Sequence, residues 1–301
     1  YDLGAYESVG YASTRPIITV FGTEPPQDYI PFAVAFTCSA SDPDGQVVSY
    51  TIDYGDGSEP ETNSSGEFFH TYDSHGIYFP SFTVIDNDSI LVNAVPEKIT
   101  GNDIIHVPTQ YPNIQAGIDA AIDGDTVLVA PGVYSGEGNN NITFNGKAIT
   151  LKSETNAQNT VIDAGGSSNG FLFEHGEGLD SVLDGFTITN AGGLNNCAVE
   201  CSGSSPAIIN NIVQNNFCRS IRLSESAAVL RNNIVYGRPE FSPGPFNAIS
   251  IGSSSPVIEK NEIYATDSNG NISAIYMGDP LANSANDCFI ISNHIKGRIF
   301  I

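Results

Sequence analysis

Between residues 179 and 301 aliphatic and polar positions alternate in one short pattern that returns five times. The copies read LDSVLDGFTI at 179–188, SSPAIINNIV at 204–213, SAAVLRNNIV at 226–235, SSPVIEKNEI at 254–263 and NDCFIISNHI at 286–295. Aligned without gaps, they place an aliphatic residue at Leu183, Ile208, Leu230, Ile258 and Ile290, and a second one five residues later at Ile188, Val213, Val235, Ile263 and Ile295. Asn211, Asn233, Asn261 and Asn293 stand two residues before the second aliphatic, and Phe186 takes that place in the first copy. Asparagine tolerates the left-handed backbone and bonds to its own chain, so this column is expected to make the tight turn between two strands. Another alternating pair lies upstream in three copies, at Val199/Cys201, Ile221/Leu223 and Ile249/Ile251. Each repeat therefore holds about three short strands. Copies that start 25, 22, 28 and 32 residues apart fit the coils of a parallel β-solenoid carrying loops of different length.

Residues 17–92 follow a different grammar. Alternating runs IITVF at 17–21, FAVAFTCSA at 32–40, VVSYTIDYG at 47–55 and FPSFTVID at 79–86 are separated by turn-rich DPDG, DGSEPETNSSG and DSHG, which predicts an antiparallel β-sandwich. The succession SDPDG at 41–45, YTIDYGDGS at 50–58, FHTYDSHGIY at 69–78 and FTVIDNDS at 82–89 resembles a polycystic-kidney-disease (PKD) domain. That resemblance implies an immunoglobulin-like spacer of extracellular proteins, serving as a rod or adhesive module without an active site of its own. The acidic loops Asp42/Asp44 and Asp86/Asp88, with Asp56 in the hairpin turn, are candidate Ca²⁺ ligands, because a hard cation wants several carboxylate and carbonyl oxygens. Asp and Asn are also ordinary turn formers.

Residues 93–102, with Pro96 and Gly101, read as a linker, and the second domain is placed from 98 to 301 after a sandwich at 17–97. Ile114, Ile118, Ala121 and Ile122 share one helical face behind Pro112, a short amphipathic helix expected to cap the solenoid. Thr126 to Val129, Ala148 to Leu151 and Thr160 to Ile162 supply the first strands, with Pro131-Gly132 and Asn145-Gly146 as corners. The stretch from 106 onward resembles the N-terminal cap and rungs of the pectin-lyase-like family, which implies an all-β, right-handed parallel β-helix. Residues 1–16 read as an N-terminal strand and linker. Their YDLGAYE at 1–7 is similar to the segment that closes the C-terminal end of such β-helices, whereas Ile299, Phe300 and Ile301 follow the last rung without a polar cap. Two expectations follow: a piece of a longer protein with tandem modules, or a coil that a neighbour's strand completes, giving a head-to-tail homo-oligomer or filament.

Composition narrows the partners. Eleven Lys and Arg against 34 Asp and Glu give a net charge of −23, which repels phosphate backbones and argues against nucleic acid. There is no apolar run of about 18 residues, so no membrane span is expected. Acceptor sequons at Asn63, Asn87, Asn141 and Asn271 permit N-glycosylation in a secreted or cell-surface protein. The five cysteines have no CxxC spacing; Cys201 falls on an inward position, and Cys197 and Cys218, 21 residues apart, are placed to bridge neighbouring coils in an oxidising compartment.

Catalysis on this kind of solenoid would need a base and a cation for uronate cleavage, or two carboxylates across one glycosidic bond. The outward column after the first aliphatic reads Asp184, Ile209, Arg231, Glu259 and Ile291, and the column within the upstream pair reads Glu200, Arg222 and Ser250. Neither concentrates one chemistry, so Glu200/Arg222 and Arg231/Glu259 are read as surface ion pairs between coils, worth about 0.2–1 kcal/mol each. The five histidines are scattered, with no HExxH. Phe241 and Phe246, in the insertion at 237–248, are loop aromatics able to stack on a glycan. The leading expectation is an extracellular structural or adhesive surface protein. The alternative is a carbohydrate-active enzyme, a lyase or hydrolase of acidic polysaccharide, with Arg222, Arg231 or Lys260 as charge partner.

Overall fold

Strict in-out alternation along Phe32–Ser41 turns Phe32, Val34, Phe36 and Cys38 inward and leaves the residues between them on the outer side. The computed structural model describes residues 13–237, 247–265, 273–278 and 288–300, without the side chain of Leu194. Phe32–Ser41 lies between Ile17–Glu24 and Glu67–Tyr72 in a three-stranded antiparallel sheet. Glu61–Asn63, Val47–Asp53, Ser81–Asp86 and Leu91–Ala94 make a four-stranded antiparallel sheet. Phe36 and Phe68 from the first meet Ile52, Phe82 and Val84 from the second in one core. Each such side chain contributes about 1.5–3 kcal/mol by leaving water.

The expected linker at 93–102 is largely strand. Ile99–Asn102 pairs with Gln27–Tyr29 and with Gly76–Tyr78, and Ile99 is fully buried in the sandwich core. Because those pairings tie it to the sandwich, the chain divides between Asn102 and Asp103 rather than at 97/98.

From Asp103 the chain winds into a parallel β-solenoid of three sheets. The first, of eight strands, runs from Ile104–Val107 through Thr126–Val129, Thr150–Ser153, Val182–Asp184, Ala207–Ile209, Val229–Arg231 and Val257–Glu259 to Phe289–Ile291. The second and third, of seven strands each, begin at Gly132–Ser135 and Ile142–Thr143. Equivalent residues pair directly from coil to coil, Leu183 with Ile208, Ile208 with Leu230 and Leu230 with Ile258. Both repeating aliphatic columns and the upstream pair point inward as expected, with exposures of 0–1% for all but Ile290 and Ile295, which are partly covered. The early coils fill the same space with Phe144, Phe171, Phe173 and Phe186. Helix Ile114–Ala120 seals the first coil: Asn113 caps it by accepting from the Ala116 N–H, and Ile114 and Ile118 enter the core. Gly117 is required there, since a side chain would strike the Val107 methyl at 2.8 Å.

The corner between the first two sheets corrects one expectation. The left-handed residues are Gly185, Asn210, Asn232, Lys260 and Ser292, one position before the repeating asparagines. Those asparagines go inside instead and stack into a ladder. Asn211 Nδ2 donates to the Leu183 carbonyl, Asn233 Nδ2 to Ile208, Asn261 Nδ2 to Leu230 and Asn293 Nδ2 to Ile258, at 2.7–2.9 Å. Each Oδ1 accepts from the main-chain N–H one coil back: Phe186 N–H reaches Asn211, Asn211 reaches Asn233, Asn233 reaches Asn261 and Asn261 reaches Asn293. The corner leaves main-chain groups that no strand pairs, and a buried amide satisfies a donor and an acceptor together.

Candidate functional site

On the outer face of the third sheet, strands Gly192–Ser202, Phe217–Ser224, Ile249–Gly252, Ser273–Met277 and Arg298–Phe300 align Glu200, Arg222, Ser250, Tyr276 and Phe300 in one column. Serine is the small member. Between the guanidinium of Arg222 on one coil and the ring of Tyr276 on another it leaves a notch of about 270 Å³. Tyr276 stacks on Phe300, with centroids 5.3 Å apart and planes 11° from parallel, so its opposite face is turned toward the Ser250 coil. Gly278 makes room for that ring, because a Cβ there would fall inside it.

Two of the chain's eleven basic side chains line this notch. Arg222 is held by Glu200 on the neighbouring coil, the ion pair expected from the sequence. Arg219 comes from the same strand at a β-bulge, where the register jumps between Gly192 and Cys197, and has no carboxylate partner among the described residues. Ser250 Oγ is buried with no hydrogen-bond partner among the described residues. Asn247 accepts the Ser273 N–H with its Oδ1, and among the described residues its Nδ2 makes no bond. Among the described residues this brings a cation without a carboxylate partner, a serine, an amide side chain and an aromatic face together on three successive coils. A guanidinium suits a carboxylate, and an aromatic face suits the C–H side of a sugar. Sequence reasoning had Glu200, Arg222 and Ser250 but not Arg219 or Tyr276. The bulge hid the first, and the insertion before Ser273 hid the register of the second.

Elsewhere the acidic expectation separates into two places. Asp42, Asp44, Asp86 and Asp88 come together beside Ser13 and Thr14 at one end of the strand Val47–Asp53, and Asp56 follows its other end. There Asp56 Oδ2 meets His70 Nε2 at 2.6 Å. Asp44 accepts from Thr14, which holds its carboxyl below the usual range, and Asp88 accepts from Ser13 at 2.6 Å. Asp86, 3% exposed, accepts from the Asp88 and Ile90 N–H groups. Within this cluster Asp42 Oδ2 and Asp86 Oδ2 are buried without a hydrogen-bond partner among the described residues. Among the described residues no group of three or more His, Cys, Asp or Glu is arranged to hold a metal ion.

Of the sequons, Asn63 donates its Nδ2 to the Glu67 carbonyl and Asn87 donates to Asp88, while Asn141 is exposed and uses only its Oδ1, accepting from Asn169. Asn271, Phe241 and Phe246 lie outside the described residues, as does the segment at 1–7. Cys197, Cys201 and Cys218 are all buried and no disulfide joins Cys197 to Cys218. Burial pushes the Cys197 thiol up to about 12, with Arg222 acting against it. Arg231 pairs with Glu259 as expected. No described helix is long and apolar enough to cross a membrane.

A buried carboxylate also joins three coils. Burial alone would raise Glu177, but the Gly146 and His175 N–H groups and the Ser204 hydroxyl, at 2.8–3.0 Å, outweigh it and hold the acid below its ordinary value. Its role is to satisfy corner donors.

Among known proteins, residues 14–96 match the PKD domain family. No curated protein matches the chain. Solved structures similar to parts of it include a carbohydrate-binding module of the β-sandwich superfamily, at 21% identity and TM-score 0.30, covering 35% of this chain and 41% of that one. The PKD1 domain of Vibrio anguillarum Epp is 22% identical, with TM-score 0.24 over 30% of this chain and 96% of that domain. A family 28 exopolygalacturonase from Yersinia enterocolitica is 12% identical, with TM-score 0.28 over 94% of this chain and 82% of that enzyme. Scores this low tie none of those proteins' activities to this chain. Residues 14–96 form a PKD domain, followed from Asp103 by a parallel β-solenoid.

Proposed function

We propose that this protein is an extracellular structural and adhesive module whose solenoid grips a carboxylated glycan in the notch between Arg222 and Tyr276. The single observation that carries this reading is Arg219, a half-buried cation without an acidic partner among the described residues, in a chain of net charge −23. In so acidic a molecule, a cation that meets no carboxylate among the described residues supports a place for one from outside. The PKD domain supports the extracellular setting, since such modules serve as spacers on secreted and surface proteins. Binding is favoured over cleavage because the described residues lining the notch bring no Asp, Glu or His that could act as base or acid.

The test is calorimetric titration with oligomers of galacturonate, guluronate and glucuronate. Binding that weakens at least tenfold in Arg219→Ala and in Tyr276→Ala, and weakens with salt, supports the proposal. Uronates that bind neither the parent nor the variants overturn it. Unsaturated products or new reducing ends would replace adhesion with cleavage, the enzyme alternative.

A further inference from the structure

A second groove lies away from the notch, along the corner between the first and second sheets, and nothing in the proposed adhesion uses it. It measures about 430 Å³, within the range of small-ligand sites. Its floor is Ile212 and Ile234, outward residues of the second sheet that are half-buried and aligned coil to coil. On the preceding coil the loop 154–159 folds over the sheet and buries Thr187, whose Oγ1 donates to the Ala157 carbonyl at 2.7 Å, so the loop forms one wall and stops short of the two isoleucines. The opposite rim is a row of side chains: Asp184 accepts from Asn210 Nδ2 at 2.7 Å, and Asn210 accepts from Asn232 Nδ2 at 3.3 Å. Gly185, at the head of the left-handed column, carries no side chain to fill the space.

We propose that this groove is a subsite for a neutral saccharide. An aliphatic floor with an amide and carboxylate rim matches a pyranose, which has an apolar C–H face and hydroxyls around its edge. The rim keeps unused hydrogen-bonding capacity, since Asn232 Oδ1 and the Gln158 amide make no bond among the described residues. An extended peptide fits poorly, because the strand N–H and C=O groups here pair from coil to coil and offer no free edge. The charge also selects. Lys152 Nζ lies 3.7 Å from Asp184 and offsets it, so this groove lacks the surplus cation that Arg219 gives the notch. The inference is independent of the uronate reading and fails or stands separately from it.

The experiment is saturation-transfer NMR on the full chain at millimolar neutral hexasaccharides of glucose, mannose, xylose, galactose and N-acetylglucosamine. At least one should bind, and its affinity should drop tenfold or more in Asn210→Gly/Asn232→Gly, a pair of changes that keeps the left-handed backbone open to the chain. Ile234→Glu, which fills the floor while keeping the main-chain bond from residue 234 to the Asn211 carbonyl, should abolish the same signal, and Arg219→Ala should leave it intact. The proposal is overturned if no neutral hexasaccharide binds, if binding survives both groove variants, or if it disappears with Arg219→Ala.

Discussion

Two asparagines stand side by side in the third repeat, and the structure assigns them costs that differ severalfold. Asn233 is 1% exposed: its Nδ2 donates to the Ile208 carbonyl at 2.8 Å and to Asn261 Oδ1 at 3.0 Å, and its Oδ1 accepts from Asn211 N–H at 2.9 Å and from Asn211 Nδ2 at 3.2 Å. Replacement by alanine orphans the buried Asn211 N–H, which costs about 1–3 kcal/mol, and removes three further bonds worth about 0.5–1.5 kcal/mol each, not fully additive. The expected total is about 3–5 kcal/mol. Asn232 is exposed and left-handed, and its main-chain N–H bond to the Glu259 carbonyl survives any side-chain change. Asn232→Gly should therefore stay within about 0.5 kcal/mol of the parent. The chain has no tryptophan, so urea unfolding is followed by far-ultraviolet circular dichroism, with hydrogen exchange at the Asn211 amide as the local readout. A loss below about 1 kcal/mol at Asn233, or equal losses at both sites, would refute the ladder argument.

Two more expectations follow from buried groups. Glu177 sits below its unfolded pKa, so its stabilisation is complete above the ordinary carboxylate value of about 4.3 and is lost as pH falls through the lower folded value. Glu177→Gln should be less stable than the parent at neutral pH and show a flatter decline toward acid; parallel curves of urea midpoint against pH would contradict this. Cys197, buried and raised to about 12, should resist alkylation in the native protein and react once it is unfolded, with half-buried Cys288 modified first. A peptide map of the native protein that joins Cys197 to Cys218 would show that the bridge between neighbouring coils forms after all.

Much of the architecture was written in local pattern. Fixed spacing between Leu230 and Val235, repeated at Ile258 and Ile263, could only bury both residues if each copy turned the same corner, and a period shared by neighbours implies stacking. The antiparallel alternation of 32–40 and 47–55 carried the sandwich for the same reason, since side chains on a strand change sides at every residue. Where a residue's role depended on which neighbour stood across the coil, the pattern was silent. It did not tell Asn232 from Asn233, because both tolerate a turn and only the packed corner turns one amide out and one in. Nor did it place Arg219 or Tyr276 in the notch, since a bulge and an insertion of unmatched length set their register. Pairing along a solenoid axis is long-range, decided by the coils closing on each other. Composition and periodicity thus determined that coils would stack and which side chains they would bury, and the closed stack alone decided which outward side chains meet to form a site.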